Sequence, residues 1–317
     1  MTRRVMIGSR GSALALWQAN HVRSGLESAF PEISFEIKII ETTGDQVLDV
    51  ALSKIGDKGL FTRQIETELL NGTVDLAVHS LKDLQTEQPA GLAIGAICER
   101  EVPNDVFISN DHGSLADLPH GATVATGSLR RRSQLLNYRP DLKIVEIRGN
   151  VPTRLKKFDG SGLDGMVLAY AGLHRLGFGE RVRQVIPFDI MLPAVGQGAV
   201  AVEVRDGDAE SMEIVAKLDD AESSACIRAE RSFLKRLQGG CQVPIGALAG
   251  LDEDGLSLEG MVGSLDGSIV FRERVSGSVE VAESLGLRLA ETLIERGAAQ
   301  LLDAARTEAA GSAEAAI

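Results

Sequence analysis

The stretch Phe61-Thr62-Arg63-Gln64-Ile65-Glu66-Thr67-Glu68-Leu69-Leu70-Asn71-Gly72, continued by Thr73-Val74-Asp75-Leu76-Ala77-Val78-His79-Ser80-Leu81-Lys82-Asp83, reads as helix, turn, strand and polar loop in succession. Phe61, Ile65 and Leu69 fall at i, i+4 and i+8, one apolar stripe of a helix. Asn71-Gly72 ends it, because these two residue types most readily leave the helical conformation. A short apolar strand, Val74 to Val78, follows at once, and the polar run His79 to Asp83 lies just beyond its carboxyl end. Open α/β sheets bind their ligands at that edge.

The same alternation extends in both directions. Ile33, Phe35, Ile37 and Ile39 alternate with polar neighbours as a half-exposed strand does. Val124-Ala125, Ile144 to Ile147, Met166 to Leu168 and Ala199 to Val204 are further short apolar runs. Helices between them begin at capping residues such as Ser12 and Ser128. This pattern predicts α/β domains with largely parallel sheets. From about Ala221 the order changes to a long helix, glycine-punctuated strands and an Ala/Leu-rich helix at Ala282 to Arg296, a smaller α+β domain. The tail, Thr307 to Ile317, reads as frayed.

A chain of 317 residues suits about two domains of usual size. No apolar run approaches the roughly 18 residues of a membrane span, and Arg10 interrupts the apolar start too early for a signal peptide. Aromatic residues make up 4% of the chain, thin for single-stranded nucleic-acid stacking. Cys98, Cys226 and Cys241 form no CxxC and leave one over, which argues against a disulfide scaffold and for a reducing, cytoplasmic setting.

Charge is distributed unevenly. The whole chain carries −12, yet Gly121 to Lys157 carries +7, from Arg130, Arg131, Arg132, Arg139, Lys143, Arg148, Arg154, Lys156 and Lys157 against Asp141 and Glu146. An acidic protein with its cations gathered in one segment is suited to neutralising a compact polyanion there. The acidic remainder would repel a long nucleic-acid backbone. The acid-rich run Glu203 to Glu222 reads as solvated surface.

Two motifs fail on context. Gly196-Gln197-Gly198-Ala199-Val200-Ala201 matches GxGxxA, but its glycines precede a strand where a dinucleotide fingerprint must open a helix. Lys54-Ile55-Gly56-Asp57-Lys58-Gly59 lacks the ending of a P-loop and reads as a mobile cationic loop.

Four constellations remain. Asp83, after His79-Ser80-Leu81-Lys82, is placed to act as an acid/base or as counter-ion to a developing cation. On these residues alone, pairing with Lys82 or capping a helix weighs more. Ser128 caps a helix whose first turn holds Arg130 and Arg131, an arrangement that opposes the helix dipole unless an anion is present. Arg148-Gly149-Asn150 follows the next strand, with Arg154 beyond, so two strand ends deliver arginines to one side of a sheet. Guanidinium suits carboxylate and phosphate equally, which leaves the anion open. Cys241, in Gly239-Gly240-Cys241-Gln242-Val243-Pro244-Ile245-Gly246, sits on a sharply turned loop, whereas Cys98 and Cys226 read as inert and buried. No cysteine or histidine flanks Cys241, which speaks against a metal.

At these residues the chain resembles the porphobilinogen deaminase (hydroxymethylbilane synthase) family. The resemblance rests on Ser9-Arg10-Gly11-Ser12-Ala13-Leu14-Ala15-Leu16-Trp17-Gln18, Gly44-Asp45, Lys58-Gly59-Leu60-Phe61 and Ala77 to Asp83. Ser128 to Arg131, Arg148-Gly149-Asn150, Pro193-Ala194-Val195-Gly196-Gln197-Gly198-Ala199 and Gly239 to Gly246 complete it. Gly127 stands where the family often has Ser, and Leu84-Gln85 replaces a usual Val-Pro.

The resemblance implies a transferase that condenses four porphobilinogen units head to tail into hydroxymethylbilane, for tetrapyrrole and haem biosynthesis. It implies a dipyrromethane cofactor, thioether-linked to Cys241, with Asp83 as the catalytic carboxylate. Lys82, Ser128, Arg130 and Arg131, with Asp83, are the implied cofactor-binding set. Arg10, Ser12, Arg148, Arg154, Arg175 and Gln197 are the implied substrate-binding set, with Lys54 and Lys58 on a lid-like loop. The implied fold has two periplasmic-binding-protein-like (type II) α/β domains, 1–98 with 199–217 and 103–193, plus an α+β domain at 221–317. A monomer that passes its product to a downstream synthase is implied as well, with no metal, nucleic acid or membrane. The competing class is a two-lobed, non-catalytic anion- or solute-binding protein.

Overall fold

The computed structural model describes residues 3–46, 59–240 and 243–314. They form two compact units: one takes the described residues up to Glu101 and Gly198–Ser224, the other Val102–Gln197 and the chain from Ala225 onward. In the first, β1 (Arg3–Ser9) leads to α1 (Ala13–Ala29), β2 (Ile33–Ile39), the single turn α2 (Thr43–Gln46) and α3 (Arg63–Leu70). Next come β3 (Leu76–Ser80), a 3-10 turn at Leu81–Asp83 and β4 (Leu92–Ile97). The second unit opens with β5 (Asp105–Ile108), β6 (Thr123–Ala125), α4 (Leu129–Tyr138), β7 (Lys143–Val145) and α5 (Val151–Asp159). It continues with β8 (Gly165–Ala169), α6 (Tyr170–Arg175) and β9 (Gln184–Val185). The chain returns through β10 (Val200–Arg205) and α7 (Ala209–Val215), and passes along α8 (Ala221–Arg236) to β11 (Ile245–Asp252), β12 (Gly255–Gly263) and β13 (Val270–Gly277). Helices α9 (Ala282–Glu295) and α10 (Ala298–Glu314) close it.

The first sheet has the order β2-β1-β3-β10-β4, the second β7-β6-β8-β5-β9. Each is parallel except for one strand, β10 in the first and β5 in the second. The reversed strand is in both cases the first that the chain enters after passing from one unit to the other. The third sheet is the antiparallel meander β11-β12-β13. Parallel sheets in the first two segments and an α+β arrangement in the third agree with the sequence pattern.

Both faces of the first sheet are covered, as parallel sheets require. Val5, Ile7, Phe35, Val78, Val202 and Val204 pack on one face with Ala19, Val22 and Leu26 of α1. Ile65 and Leu69 of α3 pack with Ala77 on the other. In the second unit Val106 and Ile108 face one cluster and Phe107 the other, the strict alternation of a strand buried on both sides. The meander packs on α8 and α9 through Phe233, Leu258 and Leu289.

Three expectations need adjustment, and a fourth is upheld. The strand expected at Val74 to Val78 runs from Leu76 to Ser80, because Asp75 serves β1 instead, accepting from the Met6 amide at 2.8 Å and carrying an ion pair to Arg205. Glu203, expected on a solvated acidic face, is fully buried in β10. The tail expected to fray from Thr307 continues helical to Glu314, as its alanines favour. Gly196 and Gly198 do precede a strand, with φ of 71° and 92°, so the dinucleotide reading is excluded by structure too.

Candidate functional site

The first unit gathers polar groups at the carboxyl ends of β1 and β3. Ser12 caps α1 by accepting from the Ala15 amide, which fixes the Arg10-Gly11-Ser12 turn. The Arg10 guanidinium lies 4.3 Å above the Phe61 ring and donates to Asp45, with Nε 3.1 Å from Oδ1. Thr42 donates to the same carboxylate at 2.7 Å. Burial pushes the Asp45 carboxyl up, but the hydrogen bonds from Arg10 and Thr42 outweigh it and hold the group below the usual range. Gln18, buried in α1, donates to Ser80 Oγ at 2.8 Å and so ties the helix to the end of β3. Asp83, half-buried at the end of the 3-10 turn, lines a small solvent-open cavity with Arg10, Ser12, Phe61, Thr62 and His79. Lys82 is likewise half-buried in that turn.

In the second unit β6, β7 and β8 are parallel neighbours, so their carboxyl ends lie along one sheet edge. Ser128 caps α4 after β6, Asn150 caps α5 after β7, and α6 follows β8. The expectation that successive strand ends carry arginines to one edge is therefore met by topology. Arg148 is half-buried, and burial draws its pKa down against a weaker opposing pull from Glu146. Arg154 is half-buried too, its Nε donating to the Gly149 carbonyl at 2.7 Å. Arg175 lies in the last turn of α6.

Arg130 and Arg131 behave differently. Both are buried, at 4% and 6% exposure, and both converge on Asp105 at the start of β5. Arg130 Nη1 donates to Asp105 Oδ2 and to the Leu192 carbonyl, each at 2.6 Å. Arg131 reaches Asp105 Oδ1 through Nε and Nη2, and the Val167 carbonyl through Nη1. Gln197 Nε2 completes the group at 2.9 Å from the same oxygen. Burial pushes Asp105 up, yet the two guanidiniums dominate and hold it far below the carboxylate range. The dipole conflict read from the sequence is thus met by an internal anion, one carboxylate for two cations. Nε of Arg130 remains buried without a hydrogen-bond partner.

Lys54, Lys58 and Cys241 lie outside the described residues. Cys98 and Cys226 are buried, as expected. Sequence reasoning missed Asp45 and Asp105. Gly44-Asp45 was a recognisable motif without a role, whereas nothing local marked Asp105, whose partners are 25 and 26 residues away.

Residues 5–213 match the family model for the porphobilinogen deaminase dipyromethane cofactor binding domain, and residues 224–295 that for the porphobilinogen deaminase C-terminal domain. A porphobilinogen deaminase of Pelotomaculum thermopropionicum is 53% identical over 97% of this chain and 99% of its own length. That of Carboxydothermus hydrogenoformans is 51% identical over 98% and 99% respectively. Among solved structures, the methionine-binding protein MetQ aligns at 15% identity with a TM-score of 0.44, covering 68% of this chain and 89% of that one. With matched models spanning both of its segments and near-full-length relatives at half identity, the chain belongs to the porphobilinogen deaminase family.

Proposed function

We propose that Asp83 is the catalytic carboxylate of this enzyme and that Cys241 carries its cofactor. As a member of the family the chain is a transferase, hydroxymethylbilane synthase, that joins four porphobilinogen units head to tail with loss of ammonia. The observation carrying the assignment of Asp83 is its place in a cavity beside Arg10 and Ser12, at a sheet edge suited to ligands. An ionised carboxylate held there stabilises the positive charge that develops on a pyrrole as ammonia departs, and accepts hydrogen bonds from pyrrole N–H groups. Arg10, already oriented by Asp45 and Phe61, presents its remaining donors to a substrate carboxylate without further ordering.

A dipyrromethane bears four carboxylates, and the residues present fit such a group. The second unit's strand ends hold more guanidinium than carboxylate, and Arg130 keeps a buried donor atom without a partner. When bound, the cofactor supplies the nucleophilic pyrrole carbon to which substrate is joined. Arg130, Arg131, Ser128 and Lys82, with Asp83, would hold it, and Arg148, Arg154, Arg175, Ser12 and Gln197 would bind substrate and chain carboxylates. Lys54 and Lys58 would screen the site from water. We read three domains, 1–98 with 199–217, 103–193 and 221–317, in a cytoplasmic monomer that passes its product to a downstream synthase.

Intact-mass measurement with peptide mapping tests this reading. The purified enzyme should carry a two-pyrrole adduct on the peptide containing Cys241, and Cys241→Ser should carry none, because an alkoxide is scarce at neutral pH. A solute-binding protein would show no adduct, and an adduct on another residue would overturn the assignment of Cys241.

A further inference from the structure

Arg130 and Gln134 stand one helical turn apart in α4, so their side chains leave the same face of the helix. Both are buried, and both end on the backbone of Leu192, a buried residue in the segment between β9 and β10. The Gln134 amide clamps that residue through both of its groups. Its Oε1 accepts from the Leu192 N–H at 2.8 Å, and its Nε2 donates to the Leu192 carbonyl at 3.0 Å and to the Arg130 carbonyl at 3.4 Å. The Leu192 carbonyl also accepts from Arg130 Nη1 at 2.6 Å. Gly246 of β11 packs against that oxygen, where a Cβ would stand 3.1 Å from it.

The two neighbouring arginines spend their donors differently. A guanidinium is a flat fork, with a pair of hydrogens on Nη1 and the others along the edge formed by Nε and Nη2. Arg131 turns that edge onto Asp105 Oδ1, with Nε at 3.0 Å and Nη2 at 2.8 Å. Arg130 meets the same carboxylate end-on, through Nη1 alone. Its Nη1 thus has a pair of acceptors, Asp105 Oδ2 and the Leu192 carbonyl. Its edge makes no hydrogen bond among the described residues, and Nε is buried there.

Attraction to Asp105 alone would not keep Arg130 in this pose. The bidentate, edge-on approach is the stronger contact between guanidinium and carboxylate, and Asp105 already touches the group. A pair of fixed acceptors on Nη1 defines the plane of the guanidinium, and a single one does not. With the Leu192 carbonyl out of line, the group is free to turn about its remaining anchor and close its edge on Asp105, as Arg131 does. The edge would then be spent inside the protein. The carbonyl stays in line because Gln134 holds Leu192 at both its N–H and its C=O.

We propose that Gln134 is a positioning residue for cofactor attachment: by clamping the Leu192 backbone it keeps Arg130 end-on to Asp105, and so keeps the Nε/Nη2 edge open for a carboxylate of the pyrrole cofactor. The proposal rests on the reading of Arg130 as a cofactor-binding residue. Gln134 acts through Leu192 and Arg130 and takes no part in bond making. An amide suits the task, because it accepts and donates at once without charge. A carboxylate at this position would repel the Leu192 carbonyl and offer Arg130 a second internal anion.

The rate of cofactor loading reads this directly. Full-length protein made without a supply of porphobilinogen is given a pulse of it, and the two-pyrrole adduct is followed by intact mass, with far-UV circular dichroism reporting the fold. Gln134→Leu should load about tenfold or more slowly than wild type, because an edge turned onto Asp105 must come away before a carboxylate can bind. Arg130→Leu should load at least as slowly. The double variant should be no slower than Arg130→Leu, since Gln134 then has nothing left to position. Gln134→Glu should also be slow, and it carries the test if Gln134→Leu does not fold.

Loading of Gln134→Leu within about twofold of wild type would overturn the proposal. So would a double variant slower than Arg130→Leu by the full factor that Gln134→Leu shows alone, which is what a glutamine serving only the fold predicts. Normal loading in Arg130→Leu would remove Arg130 from the cofactor site and the proposal with it. Slow loading in Arg130→Leu beside normal loading in Gln134→Leu would sink the clamp alone, so the two failures are told apart.

Discussion

Both guanidiniums of the adjacent pair Arg130 and Arg131 end on the one carboxylate of Asp105, at 2.6 and 2.8 Å. One anion between two buried cations leaves a surplus of one positive charge, in the interior of a protein whose overall charge is −12. Such a group is stable only while its hydrogen bonds are intact, and it offers an incoming carboxylate a partly compensated, already desolvated partner.

Asp105→Asn should therefore cost stability even though it preserves shape. Removing one partner of a buried ion pair costs about 3–5 kcal/mol, because uncompensated charge remains. The folded carboxyl lies below its unfolded value, so the contribution is present above about pH 5 and is lost as pH falls through roughly 4 and below. Urea midpoints of wild type and variant at pH 7, 5 and 3.5 should differ widely at the first two and only begin to narrow at the third, since the contribution is lost in full only as pH falls to the depressed folded value. Equal midpoints at pH 7 would show that the pair is not held by charge.

Asp83→Asn should reduce kcat by roughly 10²-fold or more while far-UV circular dichroism stays that of the wild type. The half-buried group carries no core packing, so activity and folding should separate. A variant that keeps a tenth of the rate would assign Asp83 a structural role.

The arginines should divide into two classes. Arg148 and Arg154 are half-buried, so Arg148→Leu and Arg154→Leu should fold and each trap a different covalent intermediate, seen as a mass ladder after a short pulse of porphobilinogen. Arg131→Leu strands Asp105 without one of its cations and should lower the melting temperature as well as block cofactor loading. Arg148→Lys should fall between wild type and leucine, since a point charge cannot reproduce a bidentate fork. Identical ladders for all of these would mean a merely solvated basic face.

Gly198→Ala should destabilise at the point where the chain re-enters the first sheet. Its φ of 92° is strained for alanine, and the added Cβ would come within 2.3 Å of the Glu101 carbonyl oxygen. A loss of about 1–3 kcal/mol is expected from backbone strain, measured by denaturant unfolding, with the close approach adding to it. An unchanged midpoint would mean that the backbone relaxes freely there.

Much of this was legible from local pattern, because period and capping are local properties. The alternation at Ile33 to Ile39 gave β2 to the residue, and Ser12 and Ser128 cap the helices they were read to cap. The parts that escaped are those decided at a distance. His79 and Ser80 look like loop residues, yet they lie inside β3 because the ladder with β10, far away in the chain, continues through them, Ala201 opposite His79 and Val200 opposite Ser80. Glu203 looked like one acid among many, and only the register of β10 puts it in the interior. Asp105 carried no signal at all, since its partners, Arg130 and Arg131 of α4 and Gln197, all lie far along the chain.

The position of β10 has a consequence for how the protein is made. This strand lies between β3 and β4, and β4 pairs with no other strand in the sheet. A ribosome that has released only the residues up to Glu101 has supplied four of the sheet's five strands but not the one that joins β4 to the rest. The first unit must therefore wait, with an open edge and exposed valines, until residues 200–205 emerge about a hundred residues later. Its second unit contains a complete sheet by Val185 and needs nothing from further on to close it. During synthesis the order of folding is thus the reverse of the order of sequence, and the amino-terminal segment is the one that needs protection from premature pairing.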